Sequence, residues 1–292
     1  MPAQGVPLQV RQFLVDTMHY KALSEVDMAI VTRRAGDLVY LAEEQIPVPH
    51  AFTTRLGGVS RGIYVSLNLG VHLGDDPAAV AENYDRITAV LGTSAERLVF
   101  YRQVHGAFVR VVGAADCLGD IFRPSPREGD GLITMERDVT LAVFTADCIP
   151  VLLWDAGTGA VGAVHAGWRS TVLDIAGNAV RHMEALGANP RDIHAAIGPG
   201  VGACCFETGP EVSEAARAVL GTEAEAYIRD KSDGKAMVDL KAVNRRLLIR
   251  AGLLPERVTV VDACTMCNPE TFWSHRVTNG KRGVQAAMIR RL

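Results

Sequence analysis

The segments Val139–Thr145, Val151–Trp154, Ala160–His165 and Ile193–Ile197 are almost unbroken apolar runs, with little polar alternation. A strand with one face in water alternates; a strand apolar along its whole length must be covered on both faces. That requirement excludes a lone open sheet and demands stacked layers. Further strand candidates are Leu98–Val104, Phe108–Val112, Val258–Val261 and Val284–Ile289. The short connections between 139–145 and 151–154, and between 151–154 and 160–165, predict antiparallel pairs. Helical spacing interrupts the strands. Asp76-Pro77 reads as N-cap and first turn of a helix whose apolar face is Val80, Tyr84, Ile87 and Leu91, with Gly92 beyond it. A second helix is expected over 171–186, a third after Pro210, and a fourth from Asp239 to Gly252. No GxGxxG follows a strand, so strict dinucleotide-binding alternation is not expected. The expected class is α/β: one domain of mixed β-sheets layered with helices.

A chain of 292 residues can bury roughly 75% of its unfolded surface, enough for such a core. Residues 1–48, ending in Gln45-Ile46-Pro47-Val48-Pro49, are expected to be an N-terminal extension to a catalytic domain spanning 49–292. The net charge of −3 argues against a globally basic nucleic-acid binder. No apolar run reaches the ~20 residues that span a bilayer, and the first thirty residues lack a continuous apolar signal segment. With six cysteines spread over the chain, reduced thiols in the cytoplasm are the expected state, without a membrane partner.

Three short segments carry chemistry: Gln103-Val104-His105-Gly106, Thr145-Ala146-Asp147-Cys148 and Val164-His165-Ala166-Gly167-Trp168-Arg169. Each puts a His or Cys where a strand candidate runs into a small-residue turn, a rigid place to fix a reacting group. Singly, such residues are more often structural. Together they allow two readings. Two imidazoles and a thiolate supply three ligands and leave a fourth position open, as in catalytic zinc sites, although the same donors suit copper. Alternatively, Cys148 is a nucleophile activated by a neighbouring His. The three residues are 43 and 17 positions apart, which matches no short metal motif, so spacing leaves both readings open.

Other features read more blandly. Cys264-Thr265-Met266-Cys267 is a CxxC with no second CxxC or HxxxH to complete a structural zinc site. Cys204-Cys205 reads as part of a packed, glycine-bent loop. Arg55 is a candidate phosphate ligand and Asn68 a candidate contact to purine or ribose, each with a turn role as the alternative. Trp168 is expected in the core.

Taken together, Arg55-Leu56-Gly57-Gly58-Val59-Ser60, Ser66-Leu67-Asn68-Leu69-Gly70, Gly74-Asp75-Asp76, Gln103-Val104-His105-Gly106, Asp130-Gly131-Leu132-Ile133-Thr134, Ala146-Asp147-Cys148-Ile149-Pro150, His165-Ala166-Gly167-Trp168-Arg169 and Ile197-Gly198-Pro199-Gly200-Val201-Gly202 resemble the bacterial YfiH family. This is the multicopper polyphenol oxidase or laccase-domain family, also called peptidoglycan editing factor. The likeness runs over roughly 50–292. It implies a fold similar to a bacterial toxin deamidase. It also implies zinc-dependent phosphorolysis of adenosine, inosine and methylthioadenosine, with adenosine deamination alongside; purine nucleoside and phosphate are then the partners. The resemblance places His105, Cys148 and His165 on the metal ligands. Arg55 and Arg169 become candidates for phosphate, Asn68 for substrate, and Asp147 for proton shuttling. Two departures stand out: Asn83-Tyr84 with Arg86 replaces the family's Asn-Arg, and Ser170 follows Gly167-Trp168-Arg169 where glycine is common, as a candidate cap for the next helix. The competing readings are a copper-dependent polyphenol oxidase, which eight scattered histidines suit poorly, a metal-free Cys/His hydrolase, and a non-enzymatic zinc domain binding a cell-wall precursor or a partner.

Overall fold

Both faces of the apolar strands are covered because they lie in two sheets stacked face to face, each with helices on its outer side. The computed structural model describes residues 30–292. The first sheet has the order β1 (Ile30–Ala35), β2 (Leu38–Glu43), β3 (His50–Thr53), β15 (Gln285–Arg290), β7 (Thr140–Thr145) and β4 (Leu98–Val99). The second runs β14 (Val258–Val260), β10 (Ile193–Ile197), β8 (Ile149–Asp155), β9 (Val161–Ala166), β6 (Gly131–Thr134) and β5 (Val109–Val111). A small third sheet joins β11 (Glu207–Thr208), β13 (Ala236–Val238) and β12 (Ile228–Asp230). Most pairs are antiparallel, but β4 with β7, β5 with β6 and β10 with β14 are parallel, so the sheets are mixed.

The core follows the two-residue period of each strand. Leu141, Val143, Leu152, Val161 and Ala163 point into the space between the sheets. Ala142 turns outward, onto a cluster with Tyr84 and Ile87 of helix α1 (Pro77–Val90). Val151, Leu153 and Val164 turn outward from the second sheet, onto Ile175, Val180 and Met183 of α3 (Ile175–Ala185) and Leu248 of α5 (Leu240–Arg250). Each fully buried aliphatic side chain contributes roughly 1.5–3 kcal/mol, so the central strands dominate the stability. The caps expected at Asp76 and Asp239 form: their carboxylates accept the N–H of Ala78 and Ala242 at 3.0 and 2.9 Å. The helix after Pro210 is α4 (Pro210–Leu220).

Four expectations change. Val139–Thr145 does not pair with Val151–Trp154: β7 belongs to the first sheet and β8 to the second, and Ala146-Asp147-Cys148 carries the chain between them. The hairpin of β8 with β9 forms as expected. Leu98–Val104 is a strand only to Val99, because the backbone of 104–106 bonds to a carboxylate instead of a ladder. The helix of 171–186 is two helices, α2 (Trp168–Val172) and α3. Asp174, left-handed at φ 57°, breaks the path and caps α3 through Gly177 N–H at 3.2 Å. Ser170 is therefore inside α2, buried, and caps nothing. Finally, residues 30–43 of the expected extension form the β1–β2 hairpin, and β2 pairs with β3, so this part is built into the first sheet. Residues 1–29 lie outside the described residues.

At the end of β2, Glu43 is buried; one oxygen meets Thr259 at 3.4 Å and the other has no partner among the described residues. Burial pushes its carboxyl up to about 7 from 4.5, against the pull of backbone N–H groups and Thr259. The folded state therefore prefers the protonated acid. The associated stability is complete below about pH 4.5 and is lost as pH rises through about 7, on the order of 1–2 kcal/mol after allowing for screening. Thermal midpoints at pH 5 and pH 8 check this. Glu43→Gln is expected to remove that part of the pH dependence and to be the more stable protein at pH 8.

Candidate metal centre and its cavity

His105 and Cys148 come from two connections and His165 from strand β9, and they meet at one point. Their ligand atoms all lie within 4.8 Å of one another. His165 sits on β9, opposite Pro150 of β8. Its backbone N–H donates to Asp130 C=O at 2.7 Å, and its Nδ1 faces Asp130 Oδ1 at 2.8 Å. A proton held on Nδ1 by this carboxylate leaves Nε2 free as a ligand.

Asp130 also orients the second imidazole. Its carboxylate accepts the N–H groups of Val104, His105 and Gly106 at 3.1, 3.0 and 2.9 Å. His105 is left-handed, with φ 59°, a conformation costing about 1–3 kcal/mol that these bonds offset. The Gln103 side chain pairs with both the N–H and the C=O of Phe144 at 2.7 and 2.8 Å, tying this loop to β7.

Cys148 follows a second left-handed residue, Asp147, at φ 89°. The Asp147 carboxylate accepts the Thr265 hydroxyl at 2.7 Å and Arg276 N–H at 2.8 Å, and its carbonyl accepts Val201 N–H at 2.8 Å. The turn so braced sets Cys148 Sγ 3.7 Å from His105 Nε2.

The electrostatics are those of a coupled pair. Burial pushes the Cys148 thiol up, but the charge of His165 and hydrogen bonds from both imidazoles outweigh it and bring the thiol down to about 6. Burial lowers His165, while the Cys148 thiolate and Asp130 outweigh it and raise the imidazole to about 9. Asp130 is pushed up by burial and pulled further down by His165 and the loop N–H groups, so it stays below the usual carboxylate range. A thiolate and two imidazoles are a donor set for a tetrahedral ion, whose ligand atoms stand roughly 3.3–3.8 Å apart. The 3.7 Å separation of Cys148 and His105 fits it.

Gly167 closes the back of the cluster. A Cβ there would fall 2.7 Å from His105 Cδ2 and 3.3 Å from Cys148 Sγ. Gly167→Ala is expected to displace His105, lowering metal content and turnover at least tenfold, with about 1–3 kcal/mol of overpacking strain. Metal stoichiometry measured beside a thermal melt checks it; an unchanged stoichiometry would refute the clash.

The cluster opens into a cavity of about 710 Å³, the size that holds small molecules. Phe144, Trp168 and Phe206 supply aromatic surface, and Arg276 and Arg282 positive charge. Trp168, expected in the core, is half-buried and lines this cavity. Arg282 is half-buried, donates to Gly283 C=O at 3.0 Å, and has an Nε with no partner among the described residues. Its Nη2 stands 3.4 Å from His275 Nδ1, and the guanidinium brings positive charge to the cavity wall.

Arg55, Asn68 and Arg169 do not line the cavity. The Arg55 guanidinium donates to Val65 C=O at 2.6 and 3.0 Å and to Pro269 C=O at 2.7 Å, stacked 4.0 Å over Trp273. Asn68 is fully buried, donating to Asp75 and accepting from Gly70 and Val284. Arg169 is exposed, 4.4 Å over the Trp168 ring. At the departure in α1, buried Asn83 bonds Val59 and Ser60, while Tyr84 donates to Leu69 C=O and lines the cavity. Arg86 turns away, to Glu82 and Gly57 C=O. Arg282 and the role of Asp130 escaped the sequence reading. The signals for Asp130 are its place at the head of one family motif and a carboxylate directly before the fully buried strand Gly131–Thr134.

The structure also brings Cys204 and Cys205 beside Cys264 and Cys267, with all four sulfurs within 4.8 Å of one another. The CxxC thus has two thiol neighbours, adjacent cysteines about sixty positions earlier.

Residues 49–291 match the family described as multi-copper polyphenol oxidoreductase laccase. The chain is 41% identical over 257 residues to a purine nucleoside phosphorylase of Deinococcus radiodurans, covering 87% of this chain and 94% of that protein. It is 36% identical over 229 residues to adenosine deaminase RL5 from an unknown prokaryotic organism, covering 77% and 87%. The fold superposes on the crystal structure of the Bacillus licheniformis hypothetical protein YfiH with a TM-score of 0.84 at 33% identity, covering 89% of this chain and 99% of that one.

Proposed function

We propose, from the premise that this chain belongs to the multi-copper polyphenol oxidoreductase laccase family, that it is a zinc-dependent purine nucleoside phosphorylase with an accompanying adenosine deaminase activity. The observation that carries the reading is the meeting of His105, Cys148 and His165 on the wall of an aromatic, cationic cavity. These three residues would hold the ion, whose chemistry when bound is Lewis-acid polarisation of a substrate atom. Adenosine, inosine and methylthioadenosine are the proposed nucleosides.

In phosphorolysis a phosphate oxygen bonds to the sugar's anomeric carbon as the bond to purine N9 breaks, and the base leaves with a proton. Arg282 and Arg276, both on the cavity wall, supply the charge that holds phosphate. Phe144, Trp168 and Phe206 offer flat surfaces to the base and exclude water from it. Asp130 keeps the proton of His165 on Nδ1, so that Nε2 stays a donor of electrons. Asp147, the candidate proton shuttle, has both carboxylate oxygens engaged by Thr265 and Arg276, and it shapes the turn instead. All six cysteines are free thiols, which suits a reducing cytoplasmic setting.

The polyphenol oxidase reading asks for more imidazoles than meet here; among the described residues this is the only three-ligand cluster that contains histidine. The depressed Cys148 thiol does favour a second reading, a thiolate nucleophile acting without metal. Metal content and the release of adenine from adenosine plus phosphate, measured before and after chelation, separate them. Adenine release lost on chelation and restored by zinc is expected. Release that survives complete chelation overturns the metal reading in favour of the nucleophile.

A further inference from the structure

The loop after β10 and the segment after β14 run side by side. Gly200 and Cys264 form a parallel bridge, and Thr265 N–H donates to Gly200 C=O at 3.1 Å. That alignment presents Cys204 and Cys205 to the CxxC. Cys267 Sγ lies 3.5 Å from Cys204 Sγ and 3.4 Å from Cys205 Sγ, and all four residues are free thiols. A tetrahedral zinc tetrathiolate with ~2.3 Å bonds has sulfur–sulfur edges of about 3.8 Å. The four sulfurs are already gathered to nearly that size.

The surrounding backbone is built for the same purpose. Gly202 N–H points at Cys264 Sγ, 3.2 Å away, the outer hydrogen bond that steadies a ligating thiolate. A Cβ on Gly202 would stand 3.1 Å from Cys264 Cβ and 3.2 Å from Cys204 Sγ, so a side chain there would crowd the sulfurs apart. Packing alone gives no reason to gather four thiols, two of them exposed, at one spot.

We propose that Cys204, Cys205, Cys264 and Cys267 form a second metal site, a closed mononuclear zinc tetrathiolate distinct from the centre at Cys148. With four protein ligands and no open position it is structural. What it fastens is the floor of the cavity. Thr265, inside the CxxC, holds the Asp147 carboxylate, and Val201, at the start of the cysteine loop, holds the Asp147 carbonyl. Phe206, directly after Cys205, lines the cavity wall.

The test is zinc stoichiometry on the full-length protein purified without added metal, with Cys148→Ala used to empty the first centre. About one zinc per chain is expected to remain in Cys148→Ala. Cobalt loaded into that variant should give the intense near-ultraviolet absorption of a thiolate-rich tetrahedral site. Cys204→Ser alone, and Cys204→Ser with Cys267→Ser, should lose this zinc and its cobalt band; circular dichroism confirms that the single variant is folded. Because the first centre is removed by Cys148→Ala, the outcome does not depend on whether that centre binds zinc. Cys148→Ala protein that holds no zinc, holds iron instead, or carries a disulfide among these four residues by mass spectrometry overturns the proposal.

Discussion

Cys148→Ala is expected to lower kcat/KM for nucleoside phosphorolysis by about three orders of magnitude, or about 4 kcal/mol of transition-state stabilisation. The thiolate is the only anionic donor of the cluster, and both imidazoles face it. Without it, two neutral nitrogens remain, too few to hold an ion with an open position. The fold should survive, because Cys148 lies in the turn just before β8 and that turn is braced by Asp147 rather than by the thiol. Cys148→Ser sharpens the result: it keeps the volume but offers a neutral hydroxyl, so the metal content of this centre should fall with activity in both variants. Activity lost with the metal content of this centre fully retained would show that Cys148 serves as a nucleophile and not as a ligand.

Asp130→Ala should do wider damage. Four donors converge on this buried carboxylate: three loop N–H groups and His165 Nδ1. Removing it leaves N–H groups without partners and lets left-handed His105 relax, a loss of about 3–5 kcal/mol and roughly 8–15 °C in melting midpoint. Metal affinity should drop by about 10–100-fold, the usual effect of losing a ligand's outer partner. Asp130→Asn separates the two effects. Its volume is preserved, but an amide N–H turned toward His165 would force the imidazole proton onto Nε2, where the ion must bind. That variant is expected to melt closer to the parent protein while losing metal as severely. Calorimetry alongside metal titration measures both, and an Asn variant with parental metal affinity would refute the tautomer argument.

What could be read ahead of the structure divides along the range of the interactions. Helix α1 was legible because Asp76, Pro77 and Gly92 act within a turn of it. The β8–β9 hairpin was legible because its connection is short. The separate sheets of β7 and β8 were not, since their separation rests on a turn braced by Thr265 and Arg276, more than a hundred positions away. The convergence of His105, Cys148 and His165 was suggested by family resemblance and not by spacing. Arg55 shows the opposite failure: a guanidinium that looked free is consumed by Val65, Pro269 and Trp273. Arg282, with no marker in its neighbourhood, ended in the cavity with a donor unused. The four cysteines were visible as two unremarkable pairs, and only the bridge of Gly200 to Cys264 makes them one group.

Strand β15 lies at the centre of the first sheet, between β3 and β7, although every other strand of that sheet precedes it in sequence. On the ribosome, β3 and β7 are therefore both made with an open hydrogen-bonding edge, and each waits for residues 285–290 to emerge. Until then Phe52, Leu141 and Val143 have no Ala287 or Ile289 between them. From the completion of β7 until β15 emerges, the nascent chain thus carries two adhesive strand edges, the condition in which chains pair with the wrong neighbour. The second sheet, whose last strand is β14, has all its strands earlier, so it is the part able to take shape while translation continues.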